Sequence, residues 1–122
     1  MGLQYISGLK PWAQEVHKTA SYTALQADTG TMFIFDSGTC VLTLPTLILG
    51  GGFYCFCINV SANSLTITAP ANKLIVDGGA TSTSGAYTSA GHIIGSACMV
   101  FLNEADTFFH MVNLGGTVVT TT

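Results

Sequence analysis

Arginine is absent from this chain, and charged residues of any kind are scarce. Three lysines and six carboxylates are spread over 122 residues, so that 7% of the sequence is charged while 48% is hydrophobic. Ordinary soluble domains carry about 25% charged residues, which keep a monomer solvated and apart from its copies. A chain with so few charges is expected to cover much of its surface, either against copies of itself or within a larger assembly.

The small number of cations excludes two classes of partner. Proteins that bind nucleic acid neutralise phosphates with clustered Lys and Arg, and three lysines in a chain of net charge −3 cannot form such a patch. Anionic membrane surfaces are disfavoured for the same reason. We therefore expect neither nucleic acid nor a membrane among the partners.

The uncharged stretch 41–60 is long enough to cross a bilayer as a helix, which needs about 20 apolar residues. Pro45 and the run Gly50–Gly52 would interrupt that helix, and β-branched and aromatic residues follow. Two strands around a turn are the favoured interpretation. The N-terminus lacks the basic start and continuous apolar core of a signal peptide, so we expect synthesis in the cytoplasm.

Strand signals recur from Thr19 onward, while helix signals are weak. The segments 53–60 and 92–102 are apolar on both faces, which is typical of interior strands. About eight or nine short strands predict a single all-β domain, an antiparallel β-sandwich or barrel of jelly-roll-like form. The segment 78–91 is rich in Gly, Ser and Thr, and is predicted to be a long surface loop with Tyr87 as its one aromatic residue.

Residues 1–18 form an irregular N-terminal arm ahead of the β-domain, which spans 19–122. The apolar residues of the arm follow neither a strand period nor a helix period, and they include the single tryptophan. Three interpretations stay open: the arm folds back over its own core, docks on a neighbouring subunit, or is disordered. The partner contacts predicted for the arm are Leu3, Tyr5, Ile6, Leu9 and Trp12.

Cysteine and histidine are the remaining candidates for chemistry. Buried reduced thiols are favoured over a disulfide or a metal site, because the C-x-C spacing of Cys55 and Cys57 matches zinc sites poorly. No local signature places a histidine beside a cysteine as its base. The carboxylates fall at predicted turns, where capping of the backbone explains them. We expect no catalytic residue, no metal and no cofactor.

From Thr19 to the end, the order of turns and strands resembles a small β-rich module found in virion proteins of tailed bacteriophages. The module often has a tryptophan near its end, where this chain has Phe108 and Phe109. The matching segments are Thr19–Tyr22, Ala27–Gly30, Thr43–Pro45, Gly52–Phe53, Leu65–Ile67 and Gly115–Thr117.

The resemblance implies a structural function. Modules of this kind occur in capsid decoration (cement) proteins and in tail-fibre or tailspike segments. The free-standing length and the N-terminal arm are more similar to a decoration protein. Such a protein is not an enzyme; it binds the major capsid protein on the capsid surface of the virion, as a homotrimer that stabilises the shell. The alternative is a tail-fibre or tailspike module that binds a host receptor or glycan, with Tyr87 as the candidate ligand contact.

Overall fold

The computed structural model describes residues 12–46, 52–70, 73–87, 94–102 and 108–121. The 3-10 helix that lies wholly within these ranges is a single turn at Gln26–Asp28, and the extended elements are all strands. The all-β prediction is confirmed. The strands in chain order are β1 (Gln14–Lys18), β2 (Tyr22–Thr23), β3 (Thr31–Phe35), β4 (Cys40–Thr43), β5 (Tyr54–Asn59), β6 (Leu65–Thr68), β7 (Leu74–Val76), β8 (Thr81–Ser82), β9 (Ser84–Tyr87), β10 (Ser96–Leu102), β11 (Phe109–Gly115) and β12 (Val119–Thr121).

The strands form two sheets that pack face to face. The larger sheet has seven strands in the order β1-β3-β5-β10-β11-β7-β8, and the smaller sheet has five in the order β12-β9-β6-β4-β2. Buried apolar side chains from both sheets form one core between them. The protein is therefore a β-sandwich, as the sequence predicted.

Both sheets are mixed, which corrects the expectation of purely antiparallel strands in a jelly-roll-like arrangement. The pairs β1–β3, β3–β5, β2–β4 and β4–β6 are parallel, and so is β7–β11. Antiparallel pairs join the later strands, namely β5–β10, β10–β11, β6–β9 and β9–β12. Parallel strands need a crossover between them, and among β1 to β6 each crossover is a strand of the opposite sheet.

The first six strands consequently wind as a flattened coil, which we call the three-turn coil. Its turns are β1–β2, β3–β4 and β5–β6, each with one strand in the larger sheet and one in the smaller. Gln14 of the first turn lies beside Thr31 of the second, and Thr31 lies beside Cys55 of the third. Stacked turns that contact mainly their neighbours are the building principle of β-solenoids. The antiparallel strands β9, β10, β11 and β12 then complete both sheets.

Burial alternates along the strands and determines which side chains meet in the core. In β3, Thr31, Phe33 and Phe35 are buried while the two residues between them are half-buried. β5 and β10, the strands predicted to be the most buried, do lie at the centre of the larger sheet. Their outward side chains are half-buried rather than buried. The second apolar face of these strands is thus an outer surface of the sandwich in the single chain.

The structure corrects the predictions for two segments and agrees with the prediction for a third. Residues 14–18, predicted to belong to the irregular arm, form β1, because Val16 packs against the core while the backbone pairs with β3.

The predicted loop 78–91 contains β8 and β9, whose small residues fit a close approach of the sheets; a Cβ at Gly85 would lie 2.8 Å from Sδ of Met111. The stretch 41–60 contributes to β4 and β5, as expected for two strands.

Across the described ranges, the protein has no helix of the length and apolarity that a membrane crossing requires.

Gly116, just after β11, tests how closely the chain packs at this point. Its φ is +94°, and an added Cβ would lie 2.8 Å from Cβ of Ser96 in the larger sheet and 3.2 Å from Cδ1 of Tyr87 in the smaller sheet. Gly95 has a similar φ of +84°, with nothing within 4 Å. Both alanine variants carry the backbone strain, but only Gly116→Ala adds a steric clash. We expect Gly116→Ala to lower the free energy of unfolding by about 1–3 kcal/mol more than Gly95→Ala. Urea unfolding of the two variants measures this, and equal losses would contradict the close approach.

Candidate functional site

The cysteines lie in the core and not at a reactive surface. All four are free thiols with at most 1% exposure, which confirms the predicted burial. Cys57 lies directly opposite Cys98 in the β5–β10 pair. Hydrogen bonds with the thiols of Cys55 and Cys98, followed by burial, raise the pKa of Cys57 well above its usual value. A thiol that keeps its proton is a poor nucleophile and a poor metal ligand.

The described carboxylates are engaged with nearby groups. Oδ2 of Asp28 accepts the hydroxyl of Tyr22 at 2.7 Å and the backbone N–H of Leu25 at 2.8 Å. Oδ1 of Asp77 accepts the backbone N–H of Asn113 at 2.9 Å. Among the residues that the structure describes, no group of three or more His, Cys, Asp and Glu side chains could hold a metal ion. These contacts are structural, as the turn positions of the carboxylates predicted.

Tyr87, the predicted ligand contact, is 1% exposed and ends strand β9. Its hydroxyl lies 2.8 Å from both the carbonyl oxygen of Ala97 and Oδ1 of Asn113, and it shares its single proton between these acceptors. Because β9 belongs to the smaller sheet and both acceptors to the larger one, this contact ties the sheets together. The structure therefore places Tyr87 in the core and not at a loop tip where it could meet a ligand.

The candidate site is the outer surface of the larger sheet, which we call the outer apolar face. We define it as the outward-facing side chains of β3, β5, β10 and β11. Register aligns these side chains into continuous rows, since Phe56 lies beside Met32 on one side and Met99 on the other, and Met99 lies beside Val112. With strands about 4.8 Å apart, side chains in such a row contact one another. The face therefore presents a layer of apolar side chains.

Charge is absent from the outward positions of these four strands. His110 is the one histidine among them, and its ring stacks on that of Phe101 with centroids 5.1 Å apart and planes 11° apart. Charged residues lie at the two borders of the face, with Glu15 on β1 and Lys73 just before β7. The face thus offers a partner no ion-pairing group in its centre.

The exposed large apolar side chains are concentrated at this face. Val112 and Leu114, both in β11, are 38% and 61% exposed. Val60 directly follows β5 and is 45% exposed, and Ile94 just precedes β10 and is 68% exposed. Two others lie elsewhere: Leu25, at 60% exposure, is beside the 3-10 turn, and Val119, at 49%, is in β12 at the edge of the smaller sheet. Contiguous exposed apolar area of this kind marks a contact surface more often than isolated residues do.

Trp12 joins the N-terminal arm to the outer apolar face. Its ring meets that of Phe56 edge-on, with centroids 5.4 Å apart and planes at 64°. Its indole Nε1 donates a hydrogen bond of 3.1 Å to Oε2 of Glu15. Trp12 is the one predicted arm contact that the structure describes. The other four predicted contacts lie outside the described residues: Leu3, Tyr5, Ile6 and Leu9.

A shallow cleft of about 340 Å³ opens at one end of the smaller sheet. Thr23, Leu25, Pro45 and Pro70 are among the residues that line it, and none of its lining side chains is charged. Binding sites for small molecules usually combine an apolar pocket with convergent polar groups that fix orientation. The threonine hydroxyls and Gln26 are the polar side chains that this cleft offers, so the outer apolar face is the stronger candidate site.

The outward side chains of β5 and β10 are candidate contact residues that the sequence does not single out. Both segments are apolar on two faces, and that pattern is equally typical of strands buried on both faces. Phe56 and Met99 are therefore surface candidates that the structure identifies.

Alkaline pH should destabilise the fold, and Cys57 and Tyr87 are two of the groups responsible. The pKa values of Cys57 and Tyr87 are raised in the folded state, by hydrogen bonding with Cys55 for the first and by burial for the second. The unfolded chain then loses protons that the folded chain retains, so stability falls as pH rises above about 8.5 for the thiol and about 10 for the phenol. Above pH 10, Tyr87→Phe should lose stability less steeply than the parent chain, by about 1.4 kcal/mol per pH unit.

Urea titrations at several pH values between 7 and 11 measure that slope. Identical slopes for the parent chain and Tyr87→Phe would contradict the raised pKa of Tyr87. At neutral pH, the same variant should lose about 0.5–1.5 kcal/mol, because the carbonyl oxygen of Ala97 loses the hydroxyl, whereas Oδ1 of Asn113 still accepts the backbone N–H of Gly115.

Comparison of the chain with protein-family models and with curated proteins finds no match in either case. What the protein does is therefore inferred from its own surfaces and from the pattern of its sequence.

Proposed function

We propose that the protein is a non-enzymatic structural protein of a phage virion. It is a capsid decoration protein that is made in the host cytoplasm, binds the major capsid protein on the capsid surface, and stabilises the shell as a homotrimer. The observation that carries this proposal is the outer apolar face. A surface with this little charge at its centre suits lasting contact with other subunits better than exposure on a free monomer.

The stabilisation is mechanical in kind. Burying one large apolar side chain contributes about 1.5–3 kcal/mol, and part of this is offset by the ordering of the groups at the interface. A decoration protein repeats the same contact at many equivalent positions on a closed shell. Because each copy then bridges neighbours that are already held in place, modest contacts add up to a large effect on the whole particle.

The groups that could perform chemistry have structural partners in the described ranges. The thiol of Cys57 is hydrogen-bonded and its pKa is raised, and Asp28 and Asp77 accept hydrogen bonds from turn and strand backbone. A nucleophile would need a base within hydrogen-bond reach and a third group to orient that base. These observations support a structural protein over an enzyme.

A tail-fibre or tailspike module is the second candidate, and the three-turn coil favours it. Stacked parallel turns are the architecture of elongated solenoid proteins, which build rods by adding turns. Recognition of a receptor or glycan would call for exposed aromatic side chains. Since Tyr87 is buried, such recognition would use half-buried aromatic residues such as Trp12 and Tyr54.

The position of the protein in the particle distinguishes the two candidates. We expect electron cryo-microscopy of virions of the phage that encodes it to show the sandwich on the outer capsid surface, in clusters with three-fold symmetry. Virions that lack the protein should lose those clusters and open at a lower temperature. Density at the tail tip would favour the second candidate, and density at neither place would overturn the proposal.

Removal of residues 1–11 tests the contribution of the arm to attachment. This boundary leaves Trp12 and the whole of β1 intact, since β1 begins at Gln14. We expect the truncated chain to retain its far-ultraviolet circular dichroism and to occupy protein-free capsids at least tenfold less tightly than the full chain. Full occupancy by the truncated chain would show that the arm is not the anchor and that the sheet surfaces carry the contact.

A further inference from the structure

We infer that the outer apolar face is the surface through which copies of this chain pack against one another. The inference deepens the proposed homo-oligomer by naming its interface, and to that extent rests on the proposed function. The occupant of the face is a second copy of the same chain, and three observations support that choice: the area of the face, its charge and the position of Trp12.

The area of the face suits a contact between subunits. Four strands at a spacing of about 4.8 Å, with about six residues each at a rise of about 3.3 Å, cover roughly 400 Å² in projection. Two copies would cover about twice that area, and the flanking Val60 and Ile94 extend it. Specific interfaces begin near 1,000 Å² of total accessible surface, and the accessible surface of side chains exceeds their projected area. The face therefore reaches the range in which a specific, reversible association is expected.

The charge of the face favours a copy of itself as the occupant. A partner surface must be as poor in charge as the face, because a buried ion without a counter-ion costs several kcal/mol. Every other copy of this chain carries such a surface, namely its own outer apolar face. Closed symmetry brings these equivalent faces together around one axis. Each border carries charge of both signs, with Glu15 and Lys18 on β1 and Lys73 and Asp77 on either side of β7. Neither border therefore has a net charge that would oppose the approach of a second copy.

The position of Trp12 agrees with this arrangement. Its ring lies against that of Phe56, so an aromatic side chain of the arm is part of the outer apolar face. Aromatic residues are enriched where protein subunits meet.

Matched lysine variants test the inference. Leu114 lies on the face and is 61% exposed, while Leu25 lies off the face and is 60% exposed, so Leu114→Lys and Leu25→Lys change the same residue type at the same exposure. We expect sedimentation equilibrium between 1 and 100 μM to show the parent chain as an oligomer. Leu114→Lys, and likewise Val112→Lys, should raise the dissociation constant at least tenfold, whereas Leu25→Lys should leave it unchanged.

Folding of each variant is checked by cooperative urea unfolding, which should match the parent chain because the replaced side chains are on the surface. A monomeric parent chain at 100 μM would overturn the inference. So would association of Leu114→Lys and Val112→Lys at parental strength, or equal weakening by Leu25→Lys. If the parent chain is monomeric and Leu114→Lys loses capsid binding, the face contacts the capsid protein instead, which also overturns the inference.

Capsid occupancy is measured separately, so that the two proposals can fail independently. A parent chain that oligomerises through the face but never binds capsids would overturn the decoration function and leave the interface standing. Variants that bind capsids as monomers would support the interface and show that shell attachment does not depend on it.

Discussion

One shared layer of apolar side chains between the two sheets holds the whole structure in place. The larger sheet contributes Phe33 and Phe109, and the smaller sheet contributes Leu42 and Ile67, all of them at most 1% exposed. Each strand places alternate residues in that layer and turns the others outward. Because the chain has so few charged residues, the outward side chains of the central strands are also mainly apolar. The outer apolar face thus follows from the same composition that fills the core.

The two halves of the chain have different tasks in building this layer. The three-turn coil supplies both sheets at once, and the later strands close each sheet with antiparallel partners. Small side chains are used where the sheets must approach, as at Gly85 beside Met111. Cys57 and Cys98, opposite each other in the central strands, act as small apolar residues in the same layer. The hydrogen bonds of Tyr87 then fix one sheet relative to the other.

The sequence predicts the central position of β5 and β10, because their segments are apolar at both odd and even positions. It does not predict that the strands of the coil pair in parallel. The alternation of side chains along a strand is the same for parallel and antiparallel neighbours, and the pairing partners are distant in sequence. The segment around Tyr87 looked like a loop because small residues are common in loops and equally suited to closely packed sheets. The outer apolar face was visible in the pattern, but a sequence does not say which of two apolar faces has a neighbour.

The alternating route of the first six strands also sets the order in which the chain can fold. In the described part of the coil, no strand pairs with the next strand along the chain, so no local hairpin is available there to start folding. Short-range pairs occur later, in β7–β8 and β10–β11. Loop closure makes distant pairings slow, so folding is expected to begin near β10–β11 and to wind the coil back toward the N-terminus. During synthesis, the three-turn coil leaves the ribosome before β10 and β11, with which folding is expected to begin. Its apolar segments therefore stay exposed, and open to binding by chaperones, until those later strands have been made.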